Sequence, residues 1–185
     1  MEENYLNSAT SLGAPEIEEL VHRYWHEVWQ YAFFLTRQEQ LAEDIAQDTF
    51  VQAFRSISSF RGESSVKTWL FKIARNTAFN YRKSAFFRKV TLFGLLKDKT
   101  TYFSAEAHYF KNMLTDEIWE AVLALPKRYR EMIILHAHYG LNHAELVDLL
   151  GISKGTVKSR LHRARMRLKQ MMEEAETNVE TSARE

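Results

Sequence analysis

The sequence predicts an all-α fold: two small helical domains joined by a linker, the C-terminal one a helix-turn-helix. Three observations predict it. Apolar residues recur at steps of three and four through most of the chain, with almost no strand alternation. The six glycines and two prolines fall where elements should end. Near the C-terminus, a glycine turn separates an apolar helix from a strongly basic one.

The elements follow in order. Pro15 precedes a helix from Glu16 to about Arg37, with Ile17, Leu20, Val21, Tyr24, Val28, Tyr31, Ala32 and Leu35 on one side. A second helix runs from Leu41 to Phe54, with Leu41, Ala42, Ile45, Ala46, Thr49, Ala53 and Phe54 as its apolar stripe. Ser58 to Ser65 is a polar loop around Gly62, and Val66 to Lys83 is a third helix. The first domain spans 14–88. Periodicity fails across 84–112, and residues 89–112 read as a linker. It is unusually apolar, so it should dock on something.

The second domain spans 113–172. A helix over 113–125 leads to Pro126, a favoured first helical residue, and a helix over 126–139 ends at Gly140. His143 to Leu150 forms the next helix. Gly151 can take the left-handed conformation that ends it, Ile152 plugs the turn, and Ser153 suits an N-cap. In the last helix Val157, Leu161, Ala164 and Leu168 share a buried face. The opposite face carries Gly155, Ser159, His162, Arg163 and Met166, flanked by Lys158, Arg160, Arg165 and Lys169. The tail, 173–185, is acidic and should fray.

Charge is segregated although the net charge is only +1. Residues 16–55 hold eight acids against three Lys or Arg, and residues 61–89 hold eight Lys or Arg against one acid. Separate acidic and basic faces fit a protein partner beside a nucleic acid. The chain has no cysteine, which excludes disulfides, thiol redox chemistry and Cys-ligated zinc, and fits a reducing cytoplasm. No apolar run approaches the roughly 20 residues of a membrane span. The polar, acidic N-terminus does not read as a signal peptide.

The segment NHAELVDLLGISKGTVKSRLHRARMRLK (142–169) has what a major-groove reader needs. The first helix braces, and the second presents its N-terminal residues to base edges. Seven Lys or Arg and no acid between Lys154 and Lys169 can neutralise flanking phosphates. The helix Val66–Lys83 is the second informative segment. One stripe is Val66, Trp69, Leu70, Ile73, Thr77 and Tyr81; the opposite face holds Thr68, Phe71, Lys72, Arg75, Phe79 and Arg82. Asn76 and Asn80 lie one turn apart. Rings interleaved with cations suit unpaired nucleic acid, because bases stack on rings while cations hold the backbone. Amide side chains can read an extruded base. For Phe71 and Phe79 taken alone, packing in the helical core is the better reading.

The segments AEDIAQDTFVQAF (42–54) and SFRGESSVKTWLFKIARNTAFNYRK (59–83) resemble the second region of extracytoplasmic-function sigma factors of bacterial RNA polymerase. LPKRYREMIILHAHYGLNHAELVDLLGISKGTVKSRLHRARMRLK (125–169) resembles their fourth region. The resemblance implies a non-enzymatic transcription initiation factor with no cofactor, no metal and no small-molecule substrate. Its implied partners are core RNA polymerase, through the clamp coiled coil of the largest subunit and the flap of the second-largest, promoter DNA, and an anti-sigma factor. The location implied is cytoplasmic, with the anti-sigma factor able to hold the protein at the membrane. Glu43, Asp44, Gln47 and Asp48 are the implied polymerase-docking residues. Arg61, Ser64, Lys67, Lys72, Arg75, Asn76, Asn80 and Arg82 are implied in binding and melting the −10 element. Lys158, Ser159, Arg160, His162, Arg163 and Arg165 are implied at the −35 element. Residues 86–97 are apolar and basic where family linkers are often acidic and polar. His162 stands where the family varies, so base preference does not transfer.

Other constellations are weaker. His22 and His26 sit one turn apart with no third ligand evident, and His136 and His138 alternate wrongly for one helical face. No P-loop, dinucleotide motif or nucleophile elbow exists. Two further classes remain open. A helix-turn-helix regulator would bind promoter duplex alone, whereas a sigma factor generally needs polymerase. A nucleic-acid enzyme should show clustered acids beside the basic helix, and residues 61–89 offer only Glu63.

Overall fold

The computed structural model describes residues 14–91 and 117–182, and all regular structure among them is helical. The chain divides into two compact units, Met1–Tyr102 and Phe103–Glu185. The expected linker falls mostly outside the described residues. No helix among the described residues is long and apolar enough to cross a membrane.

The first unit contains α1 (Ala14–Thr36), α2 (Glu39–Ser56), a short 3-10 turn (Ile57–Ser59) and α3 (Val66–Thr91). Each helix packs on the other two. Small residues allow close approach: Ala32, Ala42, Ala46 and Ala74 are fully buried. Large ones fill the space between, with Tyr31 stacked on Phe71 at 4.8 Å and Trp25 on Phe50 at 5.8 Å. Burying a large apolar side chain contributes roughly 1.5–3 kcal/mol, so these rings carry much of the unit's stability. Arg37, at φ 60, makes the turn between α1 and α2.

Three details depart from expectation. On α2, Phe54 is 55% exposed while Phe50 is buried, so Phe54 leaves the core stripe and Phe50 joins it. The helix has more apolar residues than one face can cover. On α3, the buried face is Thr68, Leu70, Phe71, Ala74, Thr77 and Ala78, whereas Trp69 and Ile73 are half-buried. The helix is therefore rotated from the expected stripe. Thr68 can be buried because its Oγ1 shares a hydrogen bond with Ser65 Oγ at 2.9 Å. Finally, α3 continues past Lys83 to Thr91.

The second unit contains α4 (Glu117–Ala124), α5 (Lys127–Ile133), a π-helical turn (Ile134–His138), α6 (His143–Leu150) and α7 (Lys154–Ser182). Tyr129 through Leu135 are all buried, so α5 is the central helix of this unit. Arg130 is among them, and it donates to the Leu123 carbonyl at 2.8 Å, which closes the end of α4. Pro126 is the N-cap of α5 rather than its first helical residue. Its ψ of 138° is extended, and its carbonyl accepts from the backbone N–H groups of Tyr129 and Arg130 at 2.8 and 3.1 Å. The π turn closes through Tyr139 N–H to the Ile134 carbonyl at 3.0 Å, and Gly140 follows at φ 74.

The expected frayed tail is also corrected, because α7 runs through the acidic segment to Ser182. Met, Gln, Glu and Ala favour helix. Exposed pairs one turn apart add support: Lys169 with Glu173 at 3.4 Å and Gln170 with Glu174 at 2.9 Å.

Candidate nucleic-acid interface

The turn between α6 and α7 is built from local hydrogen bonds. Asn142 Oδ1 accepts from the N–H groups of Ala144 and Glu145 at 2.8 and 3.1 Å, and Glu145 Oε2 accepts from Asn142 N–H at 2.9 Å. This reciprocal capping box satisfies three orphan donors at the start of α6. The spacing Asn-x-x-Glu is itself the sequence signal for this helix start. Gly151 ends α6 at φ 64, ψ 37, with its N–H on the Val147 carbonyl at 3.0 Å. Ser153 then caps α7, accepting from Thr156 N–H at 3.2 Å. Both helix ends are thereby fixed without tertiary help, which makes the turn rigid.

Val157, Leu161 and Ala164 lock α7 onto the unit at 0%, 2% and 0% exposure. Leu168 is only half-buried. That orientation exposes Lys158, Ser159, His162, Arg163 and Arg165, with Arg160 half-buried at the edge. All six expected −35 residues therefore lie on or beside one outward face. Met166, at 56% exposure, shares it. Gly155 is exposed at the helix start, and a Cβ placed there would meet nothing nearer than Ser153 Oγ at 4.0 Å.

The first unit gathers a smaller group. Lys72, Arg75, Asn76 and Asn80 lie on one side of α3, with the two asparagines exposed. Arg75 lies over the Phe79 ring at 4.8 Å. Phe79 is half-buried and stays near this surface, whereas Phe71 is core. The loop before α3 is positioned by Phe60 against Trp69 at 5.0 Å, and it presents Arg61 exposed and Ser64 half-buried. Lys67 faces the other way in effect, because it pairs with Glu27 of α1 at 3.3 Å. Arg82 lies on α3 beyond the described side chains.

On α2, Glu43 and Gln47 are exposed, and Asp44 is half-buried. Val51 and Phe54, at 47% and 55% exposure, extend the same face toward the helix end. Sequence reasoning missed these two. Asp48 differs from its neighbours because it accepts the Tyr81 hydroxyl of α3 at 2.8 Å. Among the described residues no group of three His, Cys, Asp or Glu could hold a metal ion. His136 hydrogen-bonds the Leu141 carbonyl at 2.8 Å and stacks on His143 at 5.6 Å.

Two family patterns, one in each unit, define the class of the chain, the sigma-70-type factors. The sigma-70 region 2 family pattern matches residues 20–86, and the sigma-70 region 4 pattern matches residues 115–168. The RNA polymerase sigma factor YlaC of Bacillus subtilis is 35% identical over 84% of this chain and 91% of its own length. The ECF RNA polymerase sigma factor SigM of the same organism is 36% identical over 83% of this chain and 93% of its own length. A solved sigma factor RpoE, in complex with the anti-sigma factor NepR from Bartonella quintana, superposes with a TM-score of 0.65. It is 26% identical, over 86% of this chain and 98% of that one. The chain belongs to the ECF RNA polymerase sigma factors of the sigma-70 family. It is a transcription initiation factor and not an enzyme.

Proposed function

We propose that this sigma factor binds core RNA polymerase, reads a −35 element with α7 and opens a −10 element with the loop before α3 and α3 itself. The observation that carries this reading is the outward face of α7. Five of the six candidate DNA-binding side chains are exposed there and Arg160 borders it, opposite a core of Val157, Leu161 and Ala164. Lys158, Ser159, Arg160, His162, Arg163 and Arg165 serve the −35 element. Arg61, Ser64, Lys72, Arg75, Asn76 and Asn80 serve the −10 strand, with Arg82 beside them. Lys67 has a second task in joining α3 to α1. The polymerase clamp coiled coil meets Glu43, Asp44 and Gln47, with Asp48 at the margin, and the flap meets the second unit.

The working units are 14–88 and 113–172, joined by the linker 89–112 and followed by the tail 173–185. The protein acts in the cytoplasm, and an anti-sigma factor restrains it, as the solved relative's complex with NepR supports. Run-off transcription with purified core polymerase on a random promoter pool tests the reading. Enrichment of templates sharing two spaced elements is the expected result. Tight duplex binding without polymerase, and no transcripts with it, would point instead to a conventional regulator.

A further inference from the structure

At the border of the face proposed for base reading, which already includes Arg163, three arginines gather around one phenol. Tyr129 of α5 is 4% exposed. The Arg128 guanidinium lies over its ring at 4.7 Å, and that of Arg167 of α7 at 5.5 Å. Arg163 lies one turn before Arg167 on α7, and its charge acts on the same phenol together with that of Arg128. All three arginines are exposed. Burial pushes the phenol up, but the charges and hydrogen bonds of Arg128 and Arg163 outweigh it and hold the group below the usual tyrosine range.

Three like charges around one site repel, and a phenol with its π-face offsets only part of that. No ion pair with a carboxylate holds any of the three among the described residues. The cluster is short of an anion. Guanidinium groups from two different helices lie over one buried ring, and forked donors of this kind suit a tetrahedral oxyanion. Arg163 also borders the base-reading face, and Arg167 lies one turn further from the end of α7 that enters a groove. An anion held here would therefore lie beside the groove that α7 occupies.

We infer that Arg128, Arg163 and Arg167 form a clamp for one backbone phosphate of promoter DNA flanking the −35 element, with Tyr129 as the positioning residue. The inference rests on the proposed placement of α7 in a −35 groove. It adds α5 to the DNA interface, through a residue outside the helix-turn-helix. Because the clamp holds phosphate, it strengthens binding to every promoter alike and leaves base preference unchanged.

The test is phosphate-ethylation interference with the full chain bound to core polymerase, on promoters selected from a random duplex pool. Arg128→Gln and Arg167→Gln are compared with the parent; both side chains are exposed, and thermal melts verify the fold. One ethylated phosphate beside the −35 element should block the parent and be tolerated by both variants. Affinity for unmodified duplex should fall about tenfold, as expected for a lost charged hydrogen bond. The salt slope should become shallower by about one ion per arginine. Parental interference patterns in both variants, on promoters the parent still selects, would overturn the clamp. Weaker polymerase binding with an unchanged DNA pattern would also overturn it, by assigning the arginines to a protein partner. If the parent selects no promoters at all, the groove placement fails and the clamp falls with it.

Discussion

Tyr81 on α3 donates its hydroxyl hydrogen to Asp48 on α2 at 2.8 Å. Gln52 and Thr77 make a parallel bond between the same helices at 3.0 Å. Asp48 is thus a structural tie between α2 and α3, unlike the exposed Glu43 and Gln47 of the same helix. Asp48→Lys should cost about 1–3 kcal/mol in the first unit, because it leaves a half-buried hydroxyl without its acceptor. Glu43→Lys with Asp44→Lys should leave the melting temperature within a degree or two and weaken polymerase binding at low salt. Melting curves beside a polymerase titration check both, and equal stability losses would erase the distinction.

Asn80→Ala and Lys72→Ala should slow open-complex formation while sparing the closed complex, since single-strand contacts form only after the duplex opens. Permanganate footprinting on a duplex promoter gives the readout. A pre-melted template should restore any melting defect but not a lost base contact. Parental opening rates in both variants would remove this side of α3 from the strand path.

His162→Ala should relax preference at one or two −35 base pairs, where a good contact is worth about 1–3 kcal/mol of discrimination. Arg165→Ala should weaken all promoters alike and reduce the salt slope by about one ion. A transcribed library randomised at the −35 element separates the two. The reverse pattern would mean that α7 is turned on its axis in the groove.

Leu161→Ala should destabilise the second unit by roughly 2–5 kcal/mol, since the side chain is 2% exposed and its loss leaves a cavity. Asn142→Ala should cost about 0.5–2 kcal/mol by removing the acceptor of the capping box. Urea unfolding of the full chain, with Trp25, Trp29 and Trp69 replaced by Phe in every variant so that Trp119 reports the second unit alone, measures both. A smaller loss for Leu161→Ala than for Asn142→Ala would contradict the packing described for α7.

Gly155→Ala should raise stability by up to about 1 kcal/mol, because the helix gains propensity and the methyl group meets no neighbour. The same change should weaken promoter binding, since the bare backbone at the start of α7 is what a DNA strand can approach closely. Higher stability with undiminished transcription would show that nothing approaches Gly155.

The helix-turn-helix was legible because its signals are local. Gly151, Ser153 and the spacing of Val157, Leu161 and Ala164 each specify backbone or burial within a few residues. The rotation of α3 was not legible, because both of its faces carry rings. Its orientation is decided by Tyr31 stacking on Phe71 and by Ser65 satisfying Thr68, which are contacts with partners a one-dimensional stripe does not reveal. The Asp48–Tyr81 bond spans 33 positions and was invisible for the same reason. Val51 and Phe54 could have been found by counting, since α2 holds more apolar residues than one face can bury. The three arginines around Tyr129 come from segments that meet only once α5 and α7 pack.

Helix α7 runs unbroken from Lys154 to Ser182. Its first half carries the cations and its second half the acids of Glu173, Glu174, Glu176 and Glu180. The peptide dipoles already place positive charge at its start and negative charge at its end. The side chains reinforce that polarity, although charge–dipole complementarity within a helix would favour the opposite order. The helix is consequently a strongly polarised rod, and near a polyanion it experiences a torque. Within a Debye length, roughly 10 Å at 0.1 M salt, that torque turns the leading end toward the phosphates and the trailing end away. Under the proposed placement of α7 at the −35 element, orientation begins before any base is touched, and added salt should slow correct encounters by more than it shortens the life of the bound state.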